Sequence, residues 1–305
     1  GLKVLDVVNP QDFREFTLED FDQSRIPLWT VNVEVPIKSA TLQLIWIPDQ
    51  TYHDIPELDA TYALTANLPT PTPTLDVVIE DFDRPSRVIA DSDIGARIST
   101  FWKGWDLTAS YLYHYDDIPV LRRTIEPIPG GARLTLSPEY ERTHLIGTTF
   151  SNAFGDLTVR GEIGYSFDKF YSTKNPLDAD GVERVDELSY VIGLDWWGFT
   201  DTLLSFQFFQ SVLSDDPAGL TRDQVENTVT FLARREFRNH TITAENIVVY
   251  NFNRQDGYVR PKISYDLRDN VELWGGLDLF WGNRDDLFGQ FDETDRVVFG
   301  VDWGI

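Results

Sequence analysis

Cysteine is absent from the 305 residues, so the chain has no disulfide framework, no thiolate metal site and no cysteine nucleophile. Methionine is absent too. Residue 1 is Gly, with neither a basic stretch nor an apolar stretch behind it, so the expectation is a processed or truncated product whose leader was removed or never included. Basic residues are scarce. The 26 Lys and Arg face 50 Asp and Glu, and the formal charge of -24 argues against nucleic acid or bare anionic lipid as the partner surface. No run of about 18 apolar residues occurs, so no transmembrane helix is expected. Mean hydropathy is -0.27, but that test does not reach barrels, in which only alternate residues face lipid. There are four histidines and no Gly-x-Ser-x-Gly, His-Glu-x-x-His or Gly-rich phosphate loop, so no enzyme is expected.

What is present is alternation. In residues 157–168, Leu157, Val159, Gly161, Ile163, Tyr165 and Phe167 fall on one side, and Thr158, Arg160, Glu162, Gly164, Ser166 and Asp168 on the other. About twelve residues is long for a globular strand and enough to cross a bilayer at a tilt. The pattern recurs in about thirteen segments with no helical period between them. Their connections alternate, short then long, nearly throughout. A soluble sandwich has no reason to sort connections by length. A transmembrane up-and-down antiparallel β-barrel does, with short periplasmic turns and long acidic extracellular loops. Trp29, Trp46, Trp102, Trp105, Trp196, Trp197, Trp281 and Trp303 fall near strand ends, where interfacial girdles would lie. A soluble all-β barrel would need an inner face that packs dry. The polar faces here carry Glu34, Arg97, Arg160, Glu162, Asp195, Arg234, Glu245, Arg260, Lys262, Asp278 and Asp302, which suits a wet lumen.

Residues 1–26 are no clean strand, and 27–305 form one domain of strands and loops. Residues 48–88 read as an exposed, Pro-rich loop with a polyproline tip at 68–74, and 116–138 as a second long loop. The turn-rich segment with Asn9, Asp12, Arg14 and Arg25, flanked by Phe13, Phe16 and Phe21, either folds inward as a constriction or caps the extracellular rim. His114 and His144 take lumen-side parity and read as solvated wall residues. Asp178, Asp180 and Glu183 have a partial calcium-loop spacing without the remaining ligands, so Ca2+ on the loops is the metal candidate, bridging acidic loops to lipopolysaccharide phosphates.

The opening segment, Asp6-Val-Val-Asn-Pro-Gln-Asp-Phe-Arg-Glu-Phe16, then Asp22-Gln-Ser-Arg-Ile-Pro-Leu-Trp29 and Leu44-Ile-Trp-Ile-Pro-Asp49, resembles a Gram-negative family known as domain of unknown function 1302. The resemblance covers roughly the first fifty residues. It implies an outer-membrane barrel, further strands upstream of the Asn-Pro segment, and an association with inner-membrane exporters of lipids or other hydrophobic compounds. An odd count of about thirteen strands also suggests missing N-terminal strands, since single-chain bacterial barrels close with an even number; a strand within 1–26 or 75–80 is the alternative. The functional expectation is a channel or transport conduit for small solutes, with a polar lumen, in outer-membrane lipid and lipopolysaccharide. The alternatives are a conduit for hydrophobic compounds working with a periplasmic partner and an inner-membrane exporter, and a structural barrel with a plugged lumen.

Overall fold

Alternating residues do build strands along nearly the whole chain. The computed structural model describes residues 2–18, 24–66, 68–175, 178–217 and 219–304. Phe21, expected to flank the opening segment, and Ile305 lie outside the described residues. The strands are β1 (Val31–Ile37), β2 (Ala40–Ile47), β3 (Leu75–Ile79), β4 (Asp93–Trp102), β5 (Trp105–Tyr115), β6 (Val120–Ile128), β7 (Gly131–Glu139), β8 (Arg142–Phe154), β9 (Leu157–Ser172), β10 (Val182–Phe199), β11 (Thr202–Leu213), β12 (Val225–Phe237), β13 (Ile242–Asn251), β14 (Asp256–Arg268), β15 (Val271–Trp281) and β16 (Arg296–Trp303). A 3-10 helix spans Gly289–Thr294.

The fold is all-β, an up-and-down antiparallel sheet of barrel type. Thirteen strands pair in the order β1-β2-β4-β5-β8-β9-β10-β11-β12-β13-β14-β15-β16. The expected strand at 75–80 is not part of it. β3 instead joins a second, three-stranded sheet in the order β3-β7-β6, parallel to β7, and sits with β6 and β7 inside the two connections read as loops. No strand forms among the described residues of 1–26, which contribute the isolated bridges Gln11↔Arg25 and Asp12↔Asp54. Pro36 lies within β1 opposite Thr41, and Ile37 faces Ala40. β1 is an edge strand, where a residue without an N–H is tolerated.

The turns sort by end. β1–β2, β4–β5, β8–β9, β10–β11 and β14–β15 are joined by two residues each, and β12–β13 by residues 238–241. In the β4–β5 turn Lys103 and Gly104 both take positive φ, 50° and 89°, the twist that suits a two-residue hairpin. The other end carries the long connections, including 48–92 with β3 and 116–141 with β6 and β7.

The outer face carries long apolar rows. Val159, Leu194, Phe206, Phe231, Val248, Val259 and Leu279 run in register across the seven neighbouring strands β9 to β15. Leu44, Ala96, Tyr111, Ile146, Tyr165, Leu188 and Val212 make a second such row. Many of these side chains are exposed, as are Val31, Val33, Val35, Val297, Phe299 and Val301 on the two edge strands. Aromatic residues gather at both rims. Trp102 faces Trp105, which packs on Phe150 and Phe154, at the short-turn rim; Trp46 and Trp281 lie at the other.

The main apolar cluster is on the concave side, where Phe16, Leu18, Tyr62, Val249, Tyr258, Phe280, Phe288 and Phe291 are buried together. It joins the two ends of the sheet. Tyr62, from the β2–β4 connection, packs on Phe280 of β15 and on Phe291. Gln290 Oε1 accepts the backbone N–H groups of Thr65 (2.9 Å) and Ala66 (3.1 Å).

Candidate functional site

The concave wall is built from the other parity of the same strands. One row crosses eight strands as Gln43, Arg97, Ser110, Gly147, Gly164, Ser189, Ser211 and Glu226. The expected lumen residues all fall on this wall, and five of the eleven, Arg160, Asp195, Arg234, Arg260 and Asp278, meet an opposite charge. Arg160 donates to Asp195 at 2.8 Å, and Asp195 also accepts from Ser205. Arg234, Glu245 and Lys262 lie side by side on β12, β13 and β14. Asp278, only 2 % exposed, accepts from Arg260 at 3.0 Å and from Arg296 at 2.6 Å. Arg97 is exposed opposite Gln43 and Ser110, and Asp302 stands near the far edge opposite Glu272. The wall is not polar throughout, because Leu112, Leu145, Val191 and Leu213 share its parity and are buried.

His144 corrects one expectation. It pairs with Tyr113 and Phe167 on the outer face, stacks on Tyr113, and shares a 2.8 Å hydrogen bond with the Tyr111 hydroxyl. His114 does face inward and is buried. The three candidate calcium ligands are not assembled. Asp180 accepts from Arg122 at 2.6 Å, Glu183 stands on β10 opposite Tyr171, and among the described residues no group of three or more acidic or histidine side chains is placed to hold a metal ion.

The opening segment lies inside the concave face. Leu2 donates its N–H to Gln207 Oε1 at 2.8 Å, and Gln207 Nε2 donates back to Leu2 O at 3.3 Å. Glu162 Oε2 accepts two successive backbone N–H groups, Val4 at 2.8 Å and Leu5 at 2.9 Å. The Leu5 side chain fills the space over two glycines paired across β8 and β9: a Cβ on Gly147 would lie 2.2 Å from Leu5 Cδ2, and one on Gly164 3.1 Å from the same atom. Val7 and Val8 then line a small cavity with Leu112, Asp93, His114 and Asp117. In that cavity burial, with Asp116 and Asp93 nearby, pushes the Asp117 carboxyl up to about 8.

The segment next crosses to the far strands. Arg25 and Lys3 both contact the Asp6 carboxylate, and Asn9 Nδ2 donates to Ile26 O at 3.1 Å. Gln11 N–H donates to His53 Nδ1 at 2.8 Å; burial pulls His53 down to about 4, so it is neutral and free to accept. Asp12 holds the Arg14 guanidinium. Glu15 accepts from Arg296 at 2.8 Å, and Thr17 O accepts from Arg260 at 3.3 Å. Residues 2–18 therefore run from the β8–β11 wall to the β14–β16 wall. Leu2, Val4 and Leu5 reach the wall, whereas Asn9, Asp12, Arg14 and Arg25 contact Ile26, Asp54 and Asp6. Sequence reasoning named Asn9, Asp12, Arg14 and Arg25 but missed the anchors Leu2, Val4 and Leu5 and their partner Gln207. An open cleft of about 480 Å³ remains beside the segment, between Arg14, Tyr62 and Arg296.

No family model and no curated protein matches the chain. Among solved structures it is similar to two engineered variants of a Rh. blastica porin, at 11 % and 10 % identity, each covering 90 % of this chain and 76 % of that one with a TM-score of 0.43. A structure described as "Asymmetric conductivity of engineered proteins" matches with the same coverage, 11 % identity and a TM-score of 0.43. The sheet order and the two faces described above stand on the chain's own geometry.

Proposed function

We propose that this chain is an outer-membrane β-barrel channel that passes small solutes through a charged lumen narrowed by residues 2–18. The observation that carries the reading is the division of one thirteen-stranded sheet into an exposed apolar outer face and a concave face of paired charges. Water does not favour such an outer face, and a bilayer does. Its surroundings are then outer-membrane lipid and lipopolysaccharide, with the acidic connections outside. No catalytic step is part of the reading.

A second reading is a structural barrel whose lumen is plugged. The depth at which Leu2, Val4 and Leu5 are held against Gln207 and Glu162 favours it. Conductance in a planar bilayer under a salt gradient separates the two. Discrete steps with a cation preference support the channel. Silence from protein that is inserted and heat-modifiable on a gel, in both the intact chain and one lacking residues 2–18, removes it.

A further inference from the structure

Residues 2–5 meet the wall as a ligand meets a binding site. Their contacts are those that an extended peptide would make. Gln207, 1 % exposed, matches one residue's N–H and C=O with its side-chain amide, the two-way pairing that one peptide unit offers another. Glu162 takes two consecutive N–H donors on one carboxylate oxygen, a pair that successive backbone amides present and most small solutes do not. Gly147 and Gly164 leave a recess in the wall that a branched aliphatic side chain fills. Thr230 supports this by donating to Gln207 Oε1 at 3.1 Å, which fixes the amide orientation.

We propose that Gly147, Glu162, Gly164 and Gln207 form a peptide-binding site on the lumen wall, occupied here by the chain's own residues 2–5, and that the channel's solutes are short peptides carrying a branched aliphatic side chain. The claim about solutes rests on the channel reading; the claim about binding does not. The own segment holds the site until a free peptide of matching chemistry competes for it, so solute binding and withdrawal of the constriction are one event.

The test uses the full chain in detergent and a dye-labelled, acetylated peptide of sequence Leu-Lys-Val-Leu-Asp. Leu5→Asp removes the side chain that fills the recess and leaves the wall intact. The peptide should bind this variant saturably, and at least tenfold more weakly to the wild type, whose site is filled. Adding Gly147→Val to Leu5→Asp should weaken binding at least tenfold, as should Gly in place of the second Leu of the peptide. Glu162→Ala in the Leu5→Asp background is the parallel variant should the valine impair folding, which heat-modifiability on a gel reports. Equal binding with and without the wall substitution, or no saturable binding to Leu5→Asp, overturns the proposal. Conductance without peptide binding overturns this inference and leaves the channel reading; peptide binding without conductance overturns the channel reading, and with it the claim about solutes, and leaves the binding site.

Discussion

Leu5 occupies the space that a side chain at Gly147 would need, with its Cδ2 only 2.2 Å from where that Cβ would stand. The two residues are 142 positions apart in the numbering, and β8 meets β9 so that Gly164 lies beside Gly147 in the same recess. The segment therefore sits on bare backbone.

Filling the recess should expel it. Gly147→Val leaves the strand free to pair, since a β-branched residue suits an extended backbone, but Leu5 loses its place. Trypsin should then reach Lys3 and Arg14 at least tenfold faster than in the wild type, with the strands still protected. Unchanged cleavage at both sites would mean that Leu5 does not anchor the segment.

The outer row makes a depth-dependent prediction. Phe231 stands midway along β12 and faces outward, beside Phe206 and Val248. Phe231→Arg should cost about 2–4 kcal/mol of stability in a bilayer, the cost of a cationic side chain near the midplane. Gln43→Lys, on the concave row between Glu34 and Arg97, should stay within about 1 kcal/mol. Urea unfolding in lipid vesicles reads both. Equal costs would mean that the two faces have been assigned wrongly.

Acid should loosen the crossing segment through His53, which lies in the β2–β4 connection. Burial holds its folded value at about 4, below the ordinary 6.5, so the folded protein favours the neutral ring that accepts from Gln11. The stabilisation is fully present above 6.5. It is lost as pH falls from there towards 4, to at most about 3 kcal/mol. Trypsin cleavage at Arg14 should accelerate over that window in the wild type. The dependence should flatten in His53→Ala, which lacks the titrating ring. A wild-type profile unchanged between pH 7 and 4 would rule out this tether.

Much of this fold was legible because alternation is a local signal. Leu188, Tyr190, Ile192, Leu194 and Trp196 name the outward face of β10 without reference to any other strand. His144 failed for the same reason in reverse. It precedes Leu145 and Ile146, one apolar residue for each face, so β8 has no clean period there, and only its register with Tyr113 fixes the parity. The small sheet was missed because β3 is five residues long and follows a Pro-Thr repeat, while β6 carries adjacent Arg122 and Arg123. Those arginines bind Asp180 and the carbonyls of Thr173 and Asp178, contacts across long sequence separations. The Gly147–Gly164 recess belongs to a strand pair, and Leu5 reaches it from a segment with no period at all.

Asp278 offers the sharpest test of the wall. It is buried between Arg260 and Arg296, and Arg296 also reaches Glu15 of the crossing segment, so one carboxylate balances two guanidinium groups where the segment lands. Asp278→Asn keeps the shape and removes the charge. Two cations then face each other with Glu15 as their nearest remaining counter-charge. The variant should lose about 2–4 kcal/mol, below the full cost of stripping a buried pair because both arginines are partly exposed to solvent. The lumen also gains one net positive charge. In a salt gradient the reversal potential should move towards the anion value, in the direction that a positive wall imposes. Glu236→Gln, near the short-turn end of β12, removes the same formal charge from a pair that is more exposed to solvent and should move the potential less. A shift as large for Glu236→Gln as for Asp278→Asn would show that selectivity is set by total charge and that the pairing at Asp278 has no special part in it.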